Sequence, residues 1–185
     1  MSVVKFNYLE VVKDVINNMD LKGKACLDAT SGRGNDGLML LNKGIKFLYA
    51  CDIQKDAIKS TDHLLKANGY NNFKTLSVSH SEVFDYIEEE LEVIIYNLGY
   101  LPKSDKKIVT KSSSTIKSIE RAIFKISKTG VIIIVSYLGH RGSIKERREL
   151  EKYLKNLDQK NFKVEKREFF NQINNPPIVY LVGVR

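Results

Sequence analysis

Three positions at the ends of apolar runs have side chains suited to binding and turnover: Asp28, Asp52 and Asn97. Asp28 opens the run Asp28-Ala-Thr-Ser-Gly-Arg-Gly-Asn-Asp36. Gly32 and Gly34 there allow a ligand to approach the backbone without meeting a Cβ. Asp52 closes the next apolar run, where a carboxylate accepts hydrogen bonds from ribose hydroxyls. The glycine pattern is not that of a pyrophosphate-binding turn. Gly37 stands at the wrong distance for a third glycine, and Asp28 would repel phosphate. A carboxylate at that point suits the ammonium of a methionine moiety instead. The combination points to S-adenosyl-L-methionine as cofactor. The expected contacts are Asp28, Thr30, Gly32, Gly34, Asn35 and Asp36, then Asp52 and Gln54, then Ser79 and His80, and finally Asn97. The competing reading is a generic strand-to-helix turn in which Asp28 and Asp36 only cap a helix.

Asn97 begins the segment Asn97-Leu-Gly-Tyr-Leu-Pro102. In amino-methylating class I enzymes this place carries Asn/Asp-Pro-Pro-Tyr/Phe, whose Asn accepts hydrogen bonds from the target amine. Asn97 and Tyr100 keep that spacing, while Leu98 and Gly99 replace the two prolines. An amine needs only a free lone pair held in line with the methyl group, so positioning supplies most of the catalysis. His140 is the candidate base for an amine that arrives protonated. The candidate catalytic residues are therefore Asn97, Tyr100 and His140. His63 reads as a solvated helix residue. Cys26 and Cys51 sit too early in their strands to act as nucleophiles, and they read as reduced core thiols.

Alternating strands and helices position these residues. Helical spacing predicts a helix over 7–19, and apolar runs predict strands over 24–29, 46–51, 73–78, 91–97 and 130–137. Further helices are expected over 35–42, 55–68, 81–90, 112–127 and 143–157, with closing strands over 162–169 and 178–184. This order implies an α/β fold with seven strands, mostly parallel, an antiparallel last strand and helices on both faces. It is the architecture of class I, Rossmann-like methyltransferases. The length of 185 residues leaves room for a single domain over 1–185.

The net charge of +8 favours a polyanionic partner. Lys103, Lys106, Lys107 and Lys111 follow Asn97; Arg141, Lys145, Arg147 and Arg148 follow His140. Two basic clusters at one crevice suit RNA phosphates. Tyr100 and Tyr137 could stack on bases. Asp105, Asn171 and Asn174 complete the expected substrate contacts, and the stretch Asn171–Pro177 fits RNA binding or a homodimer surface equally well. No run reaches the ~18 apolar residues that cross a bilayer. The first residues lack a signal-peptide pattern. A cytoplasmic location without membrane contact is the expectation. Composition gives no case for a metal.

The motifs D-A-T-S-G-R-G-N-D, D-I-Q-K-D-A-I, Y-N-L-G-Y-L-P-x-x-D-K, S-Y-x-G-H-R-G and N-Q-x-N-N-P-P resemble a known family. It is the MnmM (YtqB-like) family of tRNA wobble-uridine methyltransferases, formerly labelled rRNA methylases. The resemblance runs from about Leu9 to Val184. It implies N-methylation of 5-aminomethyl-(2-thio)uridine in the tRNA anticodon loop, giving 5-methylaminomethyl-(2-thio)uridine. Arg33 and Lys103-Ser104 depart from the family pattern as we know it. Methylation of rRNA or of a small molecule, and a non-catalytic RNA-binding module, stay open beside this reading.

Overall fold

A computed structural model describes residues 5, 7–99, 112–138 and 143–185. Helix α1 (Tyr8–Asn17) begins where the Asn7 side chain accepts from the Glu10 backbone N–H at 3.1 Å. The elements then run β1 (Ala25–Asp28), α2 (Asn35–Leu41), β2 (Phe47–Cys51), α3 (Lys55–Ala67) and β3 (Phe73–Leu76). After a short 3-10 turn at Val83–Tyr86 come β4 (Leu91–Leu98), α4 (Ser112–Ala122), β5 (Ile126–Ser136), α5 (Ser143–Lys155), β6 (Phe162–Arg167) and β7 (Ile178–Val184).

The strands form one sheet in the order β3-β2-β1-β4-β5-β7-β6. β1 to β5 are parallel, and β7 runs antiparallel to both β5 and β6. Alternate residues of β4 separate the core into two layers, as period-two geometry demands. Val93 and Ile95 pack with Ile16 of α1, Leu40 of α2 and Leu65 of α3. Ile94 and Tyr96 pack with Ile119 of α4 and with Leu150 and Leu154 of α5. Burial on both faces explains the unbroken apolar runs read in the sequence. Cys26 and Cys51 are free and buried, and burial pushes the Cys26 thiol up to about 12.

Two expectations need correction. The acidic segment 81–90 is not a regular helix but the 3-10 turn alone. Val83, Phe84 and Ile87 face the core, and Glu89 is drawn to Lys46 at 3.1 Å and to the Tyr49 hydroxyl at 3.2 Å. The expected helix over 112–127 ends at Ala122, and β5 starts four residues before Gly130. Between them Ser127 and Thr129 donate to the Glu92 carboxylate at 2.8 and 2.6 Å. A Cβ on Gly130 would lie 2.8 Å from the Glu92 carbonyl oxygen, so only glycine fits this irregular start.

The chain leaves β1 toward β2 and β3 and later returns to β4 on the other side of β1. The carboxyl ends of β1 and β4 thus flank the point where strand order reverses, the ligand-binding place of such sheets.

Candidate active site

β1 delivers Asp28 to that point, nearly inaccessible to solvent. Its carboxylate accepts from the backbone N–H of Thr30 at 3.3 Å and of Gly37 at 3.2 Å, which pins the loop 29–34 and the first turn of α2. Gly37 leaves little room there: a Cβ would stand 2.9 Å from the end of the Leu48 side chain, which would have to shift. Gly32 and Gly34 have φ of +52° and +84°, and a Cβ on Gly34 would meet Thr61 of α3 at 3.0 Å. Thr61 also donates to the Gly32 carbonyl. The loop is therefore held from three sides, with its backbone close to the crevice.

β2 delivers Asp52. One carboxylate oxygen accepts from Gly32 N–H at 3.0 Å, the other from Gln54 N–H at 2.9 Å. Ile53 beside it is half exposed, an apolar plate next to a hydrogen-bonding group. β4 delivers Asn97. Its backbone N–H donates to Thr30 Oγ1 at 2.6 Å, and its Nδ2 donates to Asp36 at 2.5 Å. Asp28, Thr30, Asp36 and Asn97 thus form one hydrogen-bonded network, and Asp52, Gly32 and Gln54 form a second beside it on the same loop. Asn35 opens α2 with its side chain exposed.

Burial raises the affinity of Asp28 for its proton, and the charge of Asp36 raises it further. Burial likewise raises Asp36 and Asp52, opposed by hydrogen bonds from Asn97 and from backbone N–H groups respectively. None of the three carboxylates is ion-paired among the described residues. Such a cluster fits a ligand that brings positive charge of its own, as S-adenosylmethionine does. Ser31 Oγ in the same loop is buried without a partner among the described residues, a free group for the same ligand.

The other expected residues divide. Ser79 and Ser81 bond each other at 3.0 Å after β3. His80 is buried with its ring edge-on to Tyr96 at 6.0 Å, and its carbonyl accepts from Ser118 of α4. Burial lowers His80 to about 4, so it is neutral at physiological pH. Tyr137 follows β5, packs edge-on against Tyr8 at 5.3 Å, and is near enough to Asp36 to feel its charge. Tyr8 was not among the expected site residues. It fell only within the helix expected over 7–19, and the topology brings it against Tyr137.

Asn171 and Asn174 are exposed in the connection from β6 to β7. Ile178 pairs with Ser136, so this connection opens at the same end of the sheet as the crevice. Of the second basic cluster, Arg147 points inward: it donates to the Ser136 carbonyl at 2.6 Å and to Ser136 Oγ. Lys145 lies near Glu149, and Arg148 is exposed. Tyr100, Lys103, Asp105, Lys106, Lys107, Lys111, His140 and Arg141 lie outside the described residues.

A family model described as "Putative rRNA methylase" matches residues 48–183. The chain belongs to this family. It is a methyltransferase. The methyltransferase is 32% identical to the "tRNA (mnm(5)s(2)U34)-methyltransferase, chloroplastic" of Arabidopsis thaliana, over 93% of this chain and 68% of that one. Among solved structures, a "putative rRNA-methylase" from Clostridium thermocellum superposes with a TM-score of 0.94 at 29% identity, covering 99% of this chain and 100% of that one. SMU.1697c from Streptococcus mutans, "a putative methyltransferase" solved in complex with SAH, gives 0.90 at 28%, covering 98% and 100%. These likenesses extend the architecture expected from the sequence over nearly the whole chain. No helix among the described residues is long and apolar enough to cross a membrane.

Proposed function

We propose that this methyltransferase transfers a methyl group to the exocyclic amine of 5-aminomethyl-(2-thio)uridine at the tRNA wobble position. S-adenosylmethionine is its cofactor, and when bound it supplies the electrophilic methyl on a sulfonium. The observation that carries the acceptor assignment is Asn97. Its amide nitrogen is committed to Asp36, and its backbone to Thr30. The Oδ1 has no partner among the described residues and is left to accept from an incoming amine.

In this reading Asp28, Thr30, Gly32, Gly34, Asn35 and the Asp52–Gln54 segment hold the cofactor. Asp52 receives the ribose hydroxyls, Ile53 flanks the adenine, and Ser79 and His80 border it. The acceptor nitrogen donates one N–H to Asn97 Oδ1, which leaves its lone pair free to attack the methyl carbon. The carbon–sulfur bond breaks with its electron pair staying on sulfur, and the methylated nitrogen then releases a proton. Tyr100 stacks on the uridine, and His140 or solvent takes the proton. Lys103, Asp105, Lys106, Tyr137, Arg141, Asn171 and Asn174 contact the anticodon loop, which is already single-stranded and needs no duplex opened to engage it. The name of the Arabidopsis relative and the net charge of +8 support RNA as the substrate. A cytoplasmic location completes the proposal.

A strain lacking this protein should accumulate the unmethylated aminomethyl nucleoside in its tRNA, read by nucleoside mass spectrometry. An unchanged tRNA profile together with a lost methyl in rRNA would move the assignment to rRNA, the substrate that the family description names.

A further inference from the structure

Resting on the reading that Asn97 meets the acceptor amine, we propose that Asp36 is a positioning residue that fixes which end of the Asn97 amide faces the substrate. Asp36 stands in the first turn of α2, and its Oδ2 receives Asn97 Nδ2. A carboxylate only accepts hydrogen bonds, so it selects the nitrogen end of an amide and turns the oxygen end away. Asn97 cannot relocate as a whole, because its backbone N–H is tied to Thr30 Oγ1 and its strand pairs with Val135.

The remaining freedom is rotation of the amide about χ2, which is broad and roughly two-fold for asparagine. The two orientations have opposite chemical consequences. With Oδ1 toward the crevice, the amine donates an N–H and keeps its lone pair for the methyl carbon. With Nδ2 toward the crevice, the amide donates to that lone pair and blocks the attack. Asp36 removes the second orientation. Its negative charge also polarises the amide, so that Oδ1 becomes a better acceptor as positive charge develops on the attacked nitrogen. Among the described residues, the charge of Asp36 acts on Asp28 and on Tyr137.

A double-mutant cycle tests this. Turnover with unmethylated tRNA and affinity for S-adenosylmethionine, by calorimetry, are measured for wild type, Asp36→Ala, Asn97→Ala and the double variant. Asp36→Ala should lower kcat on the order of 10–100-fold, the size typical of a supporting hydrogen-bond partner, and leave cofactor affinity within about threefold. In the Asn97→Ala background the same change should cost less than about twofold, because the group through which Asp36 acts is gone. Asp36→Asn keeps an acceptor oxygen for Nδ2 and should recover most of the rate; Asp36→Leu, near in size but without an acceptor, replaces Asp36→Ala in the cycle if the latter unfolds. Additive losses overturn the proposal. So does a cofactor affinity that falls as far as kcat, which would make Asp36 a cofactor ligand. A full rate for Asn97→Ala alone would instead remove the reading of Asn97 on which the proposal rests.

Discussion

Asp52→Ala is expected to weaken S-adenosylmethionine binding by about 100-fold, measured by calorimetry. Asp52 has two jobs in the proposed site. It presents an acceptor to the ribose hydroxyls, and it holds Gly32 N–H and Gln54 N–H in place. Hydrogen bonds to a charged group contribute roughly 1.5–3 kcal/mol each, so losing the ribose contacts alone accounts for a factor of that size. Retention of full affinity would show that the carboxylate serves only the loop. The same physics sets the pH dependence. Burial raises Asp52, Asp28 and Asp36 above the ordinary carboxylate range. A folded value above the unfolded one means that the folded state binds protons more readily. The ligand-free protein therefore loses stability as pH rises through those raised values. A cationic ligand favours the ionised forms of Asp28 and Asp52, so its affinity should rise over the same range and fall on acidification.

The second large effect is that of Asn97→Ala on turnover. The side chain is expected to contribute about 100-fold to kcat with little change in cofactor affinity, since it acts on the attacking nitrogen as positive charge develops there. Steady-state kinetics with unmethylated tRNA and calorimetry with the cofactor separate the two quantities. Equal losses in both would place Asn97 on the cofactor rather than at the acceptor. The variant retains its backbone bond to Thr30, so the strand end should survive the change.

The sheet and the carboxylates at its switch point were legible because both depend on local pattern. Buried parallel strands write continuous apolar runs, and the glycines of the loop 29–34 mark the turn that follows the first of them. The strand pair at the edge followed from the missing helix between β6 and β7. What the sequence did not show depends on distant contacts. Tyr8 reaches Tyr137 only because α1 packs on the same layer as β4 and β5. Arg147 looks like a phosphate ligand beside Arg148, but α5 turns it onto the Ser136 carbonyl. The segment 81–90 has helical composition, yet three core residues and the pull of Lys46 on Glu89 keep it to a single tight turn. The bond between Asp36 and Asn97 joins residues far apart in the chain, and no motif announces it.

The most direct measurement is reconstitution with the purified protein, S-adenosylmethionine and tRNA that carries 5-aminomethyl-2-thiouridine at the wobble position. Nucleoside mass spectrometry should show that nucleoside disappearing as 5-methylaminomethyl-2-thiouridine appears, and Asn97→Ala should slow the conversion about 100-fold. An unmodified wobble nucleoside after prolonged incubation, with the cofactor shown to be bound, would contradict the assignment.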